Sequence, residues 1–434
     1  MSPRTLRAFV AVLLLVGLSV PAASAQIEID FWHSMSGAAG RALNELVARF
    51  NASQSEIRVN AQFSGSYAEA LTRAIAALRT GQAPNILQVY EVGTQTMLDS
   101  GAIIPVYELA ESRGGIDFGD ISRPIFDYYA VDGKLYSMPF NSSTAMLYYN
   151  KDAFRKAGLD PNRPPTTFDE VLEMGRQIVA SGAAPAAISF GWPAWVFEQA
   201  HATHNQFYAN NENGRKGRAT QVLFNGPFGL EVVSHWRRWA EEGVFVYGGR
   251  EYSANQAFIS GQIAMLIQST SSLASIEEAA NFEVGTTFLP RLEGYPRGNS
   301  VIGGASLWVL KGQSEEELDA VWEFFKFLNK TENAVAWHKG TGYFPVTNSA
   351  VKELLDSGWF AEHPNSLTAF LQILTGTDDP AAQGVLLGQF VEIRDIVDTA
   401  LEQALNGQVP VQRALDEAAA RANQVLADYN LLYQ

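Results

Sequence analysis

The chain has 434 residues, 47% of them hydrophobic, with 46 acidic against 31 basic residues, a formal charge of −15, and no cysteine. Disulfide frameworks and thiolate metal sites are excluded, so stability must come from a large core, and so acidic a balance argues against nucleic acid as a partner. An anionic small ligand stays open, because a few local donors outweigh distant charges screened over about 8 Å at physiological salt.

In chain order, the first 25 residues carry Arg4 and Arg7, an apolar run from Ala8 to Val20 and a small-residue end at Ala23-Ser24-Ala25. That pattern is a secretory signal peptide, and its apolar run is shorter than the roughly 20 residues a membrane span needs. Cleavage after Ala25 is expected to release a free, soluble exported chain of about 409 residues, enough for two domains. Without the two arginines it holds 29 basic and 46 acidic residues, a formal charge of −17.

IEIDFW (27–32) reads as a strand, and Leu43, Leu46, Val47 and Phe50 follow at helical spacing. IRVNAQF (57–63) is a second strand, ahead of a helix whose stripe is Leu71, Ala74, Ile75 and Leu78, stopped by Gly81 and Pro84. NILQVY (85–90) is a third strand. This β-α-β-α-β order predicts a parallel α/β sheet with ligand sites beyond the carboxyl ends of its strands. The same grammar returns in LYSMPF, AMLYYN, a helix KDAFRKAGL and a helix TFDEVLEMGRQIVASG capped by Thr167. From about residue 315 the chain is mostly helical, with Leu318, Val321, Trp322 and Phe325 on one face. Two lobes sharing short crossing segments fit this order better than two independent domains.

His33 and Ser34, side by side in FWHSMSG, raise the question of a nucleophilic site. Adjacent residues on an extended segment point to opposite faces, and no G-x-S-x-G elbow exists in the chain. Three strand ends, HSMSG, SGSYAE and VYEVGT, instead break into loops bearing hydroxyl, phenol or carboxylate groups, which read as ligand contacts or as helix caps. His201 and His204 in HATH have no third ligand beside them and read as packing or surface histidines rather than a metal site. No phosphate-binding G-x-x-x-x-G-K-[ST] is present, and GTGY at 340–343 does not open a β-α-β unit. In GWPAWVF, Trp192 and Trp195 flank a proline in an expected loop, where indoles either sandwich a small polyol or pack into the core. Arg394, amid Val391, Ile393, Ile396 and Val397, is either a buried structural ion pair or a bidentate anion clamp.

FWHSMSG, LRTGQAPNILQVYEVGT, PFNSST with LYYNKDAFRKAGLDP, IGGASLWV, WHKGTGYFPVT and IRDIVD together resemble the periplasmic sn-glycerol-3-phosphate-binding proteins of bacterial ABC importers. The resemblance implies a two-lobe, maltose-binding-protein-like α/β fold with the ligand between the lobes. It implies ligand contacts at Tyr67, Glu91, Ser143, Ser269, Gly304, Tyr343 and Arg394, and an aromatic wall of Trp192 and Trp195. Lobe 1 is expected over 26–142 and about 307–345, and lobe 2 over about 146–302 and 348–434. The hinges are expected near 141–146, 303–310 and 345–349. No catalytic residue, metal or cofactor is implied. The implied partners are glycerol 3-phosphate or a glycerophosphodiester and a permease with its ATPase, for a monomeric receptor. An oligosaccharide receptor of the same fold is the alternative, and a secreted glycerophosphodiester hydrolase a more distant one. Since Glu91 only accepts hydrogen bonds when ionised, it is expected to face the glycerol hydroxyls, away from the phosphate. His33 and Ser34 then form the lip of a cleft.

Overall fold

A computed structural model describes residues 26–433; the signal peptide expected over 1–25 lies outside them. The strands Ile27–His33, Ile57–Phe63 and Ile86–Tyr90 pair in parallel, with the first between the other two. The helix between the first pair, Gly37–Ser53, buries Leu43, Leu46, Val47 and Phe50 as its spacing predicts. The next, Tyr67–Thr80, starts in a Ser66/Glu69 capping box and ends at Gly81 with φ +67°. Ile75 of its expected stripe is 38% exposed, because this helix buries only a narrow strip around Leu71 and Ala74.

The sheet is not wholly parallel. Gly303–Leu310 joins it antiparallel to Ile86–Tyr90, and Met138–Ser143 pairs with the other edge of that long strand, again antiparallel. A late strand therefore enters the first sheet from a distant part of the chain, a pairing that local periodicity does not encode. Over it pack Leu318, Val321, Trp322 and Phe325 of the helix Glu315–Leu328.

A second sheet follows the order 284–287, 145–150, 263–269, 186–190. Thr144 alone separates the strand Met138–Ser143 in the first sheet from Ala145–Asn150 in the second. The chain returns to the first sheet between residues 287 and 303. Ile121, Ile125, Tyr128 and Tyr129, expected within the first lobe, share a core with Met146, Tyr148 and Leu266 of the second sheet. The helix Phe390–Leu405 packs on Pro193–Thr203, Pro227–Glu241 and Val411–Leu431, which cover the second sheet. No described helix is long and apolar enough to cross a membrane.

Candidate functional site

A cavity with an empty volume of about 340 Å3 lies between the sheets, lined by all nine residues singled out in the sequence together with Tyr90 and Tyr252. From the first sheet's side, the strand Ile86–Tyr90 ends in a short turn that carries Glu91. The first turn of the helix Tyr67–Thr80 presents Tyr67, whose ring stacks on Tyr90 at 5.0 Å and whose hydroxyl accepts from Asn141 Nδ2 at 2.9 Å. Burial raises the Tyr67 hydroxyl well above its ordinary range, keeping it a neutral phenol.

Ser143 and Gly304 meet where the antiparallel pair leaves the first sheet, with Gly303 opposite Ser143 and Gly304 opposite Ser142. Gly304 has φ +91°, and a Cβ there would stand 1.9 Å from the Asn141 carbonyl oxygen, so only glycine fits. Ser269 ends a strand of the second sheet, its Oγ accepting from the Ser271 amide and hydroxyl. Thr270, beside it, is buried, and Ser271 lines an adjoining outer cavity. Tyr343 follows the helix Thr331–Thr341, stacked on Trp337 at 5.7 Å.

The expected loop around the two tryptophans is a helix start instead. Trp192 is the residue before the helix Pro193–Thr203, with φ 54°, and Pro193 occupies the first helical position. Proline's fixed φ suits that position, and the Ala194 amide, unserved by any local cap, donates to Asp398 Oδ1 at 2.8 Å. Trp195 thus sits in a first helical turn, its ring against Gly303, where a Cβ would come within 2.4 Å. Trp192 is half-buried, its amide donates to the Glu251 carbonyl and its ring meets Tyr252 edge-on at 5.4 Å.

Arg394 resolves as a buried ion pair, and a double one. Its Nε and Nη2 donate to Glu198 at 2.9 and 2.7 Å, and its Nη1 donates to Glu91 at 2.8 Å. All three side chains are at most 7% exposed. Glu91 is thus bonded to the guanidinium, because a buried carboxylate without a cation would be costly. Burial pushes the Glu198 carboxyl up, to about 7, against the pull of Arg394. Burial likewise raises Asp398 to about 6. Burial works against the Arg394 charge too, and the two carboxylates more than offset it, holding the guanidinium well above its usual range.

Glu198, Tyr90 and Tyr252 were not singled out in the sequence. Glu198 stands three residues after Trp195 on the same helix, a spacing that shares a face, so it was within reach. Tyr90 ends a strand beside Glu91, and Tyr252 sits in a loop with no periodic signal. His33 is buried, its Nδ1 accepts from the Met35 amide, and burial lowers it to about 4, so it is neither paired with Ser34 nor placed in the cavity. Ser34 lines the outer cavity, the lip expected of both residues, whereas the buried His33 lines neither cavity. His201 and His204 are buried packing residues bonded to the Phe197 and Ala200 carbonyls. No cluster that could hold a metal ion occurs among the described residues.

Residues 45–369 match the model of a bacterial extracellular solute-binding protein family. The chain is 39% identical over 426 residues to the sn-glycerol-3-phosphate-binding periplasmic protein UgpB of Escherichia coli K12, covering 96% of this chain and 97% of that one. It is 40% identical over 412 residues to the Rhizobium meliloti protein of the same name, covering 93% and 95%. Among solved structures, UgpB from Mycobacterium tuberculosis in complex with glycerophosphocholine superposes with a TM-score of 0.80 at 24% identity, over 93% of this chain and 99% of that one. Maltose-bound MalE3 of T. maritima superposes at 0.77 and 17% identity, over 92% and 100%. These two likenesses carry the fold, two α/β lobes around a cleft.

Proposed function

The chain belongs to the bacterial extracellular solute-binding protein family, and from that membership we propose that it is the substrate-binding protein of an ABC importer, capturing sn-glycerol 3-phosphate or a glycerophosphodiester and delivering it unchanged to a permease and ATPase complex. The observation that carries this reading is the convergence of Tyr67, Glu91, Ser143, Ser269, Tyr343 and Arg394 on one cavity, with Trp192 and Trp195 beside them. A phosphate ester offers several acceptor oxygens and negative charge. The remaining Arg394 N–H groups, the hydroxyls of Ser143, Ser269 and Tyr343 and the backbone at Gly304 are its donors. The indoles cover the glycerol carbons and exclude water.

Capture works by hinge closure. Glu91 and Tyr67 come from one sheet and Arg394, Ser269 and the tryptophans from elements on the other, so one ligand touches both sets only when the lobes shut. The crossings at Thr144, between residues 287 and 303 and near 345–349 act as the hinges; the stretch 303–310, expected as one, is a paired strand of the first sheet instead. Closure changes the molecule's shape, which lets the permease distinguish filled from empty receptor. The receptor is exported by its signal peptide and acts as a soluble monomer in the periplasm.

Isothermal titration of residues 26–434 with glycerol 3-phosphate, glycerophosphocholine and maltose tests this. Saturable one-to-one binding to a phosphate ester with none to maltose is expected; binding to maltose alone would overturn the ligand.

A further inference from the structure

Glu198 is not among the residues that the family resemblance supplies, yet it takes more of Arg394 than any other group. It holds Nε and Nη2 in a fork, and Glu91 holds Nη1. Of the five N–H donors of a guanidinium, two are left for a ligand. The charge is committed as well: with both carboxylates ionised, the cluster is net negative before any ligand arrives. A phosphate monoester is close to a dianion above its second pKa, near 6, whereas a phosphodiester carries a single negative charge. In a cavity with little water, each added like charge weighs several times more than it would in solvent.

We propose that Glu198 is a specificity-determining residue: by forking onto Arg394 and offsetting its charge, it tunes the cavity to a singly charged phosphate, favouring glycerophosphodiesters over the dianionic monoester. The inference rests on the phosphate-ester reading above. A second observation points the same way. The cavity adjoins an outer, solvent-open one with which it shares Tyr67, Trp192, Tyr252 and Tyr343. A monoester leaves that space empty, and the second substituent of a diester fills it. Glu251 on its wall has no ion-pair partner among the described residues and suits a cationic head group.

The charged groups around Arg394 are Glu91 from the first sheet, Glu198 from the tryptophan-bearing helix and Asp398 one turn along its own helix. Tyr90 and Tyr208 nearby are neutral, their phenols raised by burial. Arg250, beyond Asp398, is held by Asp395. Rising pH therefore adds negative charge to the Glu198 cluster and to the monoester together, and leaves the diester's charge alone.

The test is isothermal titration of the mature chain and Glu198→Gln at pH 8 with glycerol 3-phosphate, glycerophosphocholine and glycerophosphoglycerol, whose neutral head separates phosphate charge from attraction to Glu251. The wild-type chain is expected to bind both diesters at least tenfold tighter than the monoester, and the variant to shift that ratio at least tenfold toward the monoester. An unchanged ratio in a folded variant, or tighter monoester binding by the wild type at pH 8, would overturn the proposal. Should the variant not fold, the wild type alone decides it. Its monoester-to-diester affinity ratio is expected to fall about tenfold between pH 5.5 and 8, and a constant ratio overturns the assignment. If neither ester binds the wild type, the phosphate-ester reading itself fails, and maltose in parallel shows which ligand replaces it.

Discussion

Arg394 Nη1 donates to Glu91 Oε1 at 2.8 Å, joining residues 303 positions apart and elements that cover different sheets. The guanidinium is the counter-charge of two buried carboxylates, so its removal leaves both unpaired. Arg394→Ala should lower folding stability by about 3–5 kcal/mol and phosphate-ester binding by about 2–5 kcal/mol. Urea unfolding at pH 8 and calorimetry read the two effects. The stability loss should shrink at pH 5.5, where Glu198 takes a proton. A binding loss below tenfold would place Arg394 outside the site.

Stability should pass through a maximum near neutral pH. His33, His201, His204 and His338 are held neutral by burial, each lowered from 6.5 to about 4. The unfolded chain binds protons there first, so stability is full above pH 6.5 and is lost as pH falls toward 4. Glu198 and Asp398 act oppositely: raised to about 7 and about 6, they contribute stability below their ordinary values that is lost as pH rises through the folded ones. Four histidines outweigh two carboxylic acids between pH 4 and 6.5, and Glu198 continues the opposite trend above it. Urea midpoints should climb from pH 4.5 to about 6.5 and then ease downward toward pH 8. A steady climb to pH 8 would contradict the Glu198 assignment.

Gly304→Ala meets two obstacles at once, a left-handed backbone and the Asn141 carbonyl. The backbone strain alone costs about 1–3 kcal/mol, and relieving the clash moves the strand pair that presents Ser143. The variant should lose both thermal stability and ligand affinity. Unchanged affinity with an unchanged melting temperature would mean that the strand pair at Gly304 has room for a methyl group.

The two tryptophans should separate in experiment. Trp195 is 4% exposed and wedged against Gly303, so Trp195→Ala should cost about 3–5 kcal/mol of stability. Trp192 is half-buried between the inner and outer cavities, so Trp192→Phe should leave stability nearly unaltered and remove most of the ligand-induced change in tryptophan fluorescence. Retention of that change in Trp192→Phe would assign the signal elsewhere.

A second contact ties the first sheet's side to elements that cover the second sheet. Asp99, on the first sheet's side, accepts from both Nη groups of Arg218 and from the Tyr429 hydroxyl at 2.8 Å. Asp99→Asn should favour opening, giving a larger radius of gyration in small-angle scattering without ligand and faster ligand release. Scattering curves identical to the wild type would show that this clasp does not hold the lobes.

The elements near the amino end were legible because their signals are local. Leu43, Leu46, Val47 and Phe50 mark a helix face, Gly81 its neighbour's stop, and Thr167 a cap that the structure reproduces with its Glu170 partner. The antiparallel strand 303–310 was not, since its pairing depends on residues more than 150 positions away. The same division runs through the site. The nine residues taken from family motifs meet in one cavity, whereas Glu198 stayed hidden because a glutamate on a helix ordinarily reads as solvated surface. Only its burial against Arg394, contributed from 196 positions away, gives it a role.

Thr144 alone links a strand of one sheet to a strand of the other, and Ser143 and Gly304 flank that link. For the proposed hinge closure that link is the pivot, and groups beside a pivot sweep the shortest arc. In the closure proposed above, Ser143 and Gly304 would therefore move least, a fixed anvil for the ligand. In that closure Arg394 and Trp192, on elements covering the second sheet, would travel on the longer arm and arrive last, whereas Tyr67, bonded to Asn141, keeps its place beside the anvil. The proposed closure would thereby sort cargo in two stages, by fit at the anvil and then by whether the jaws can finish their stroke.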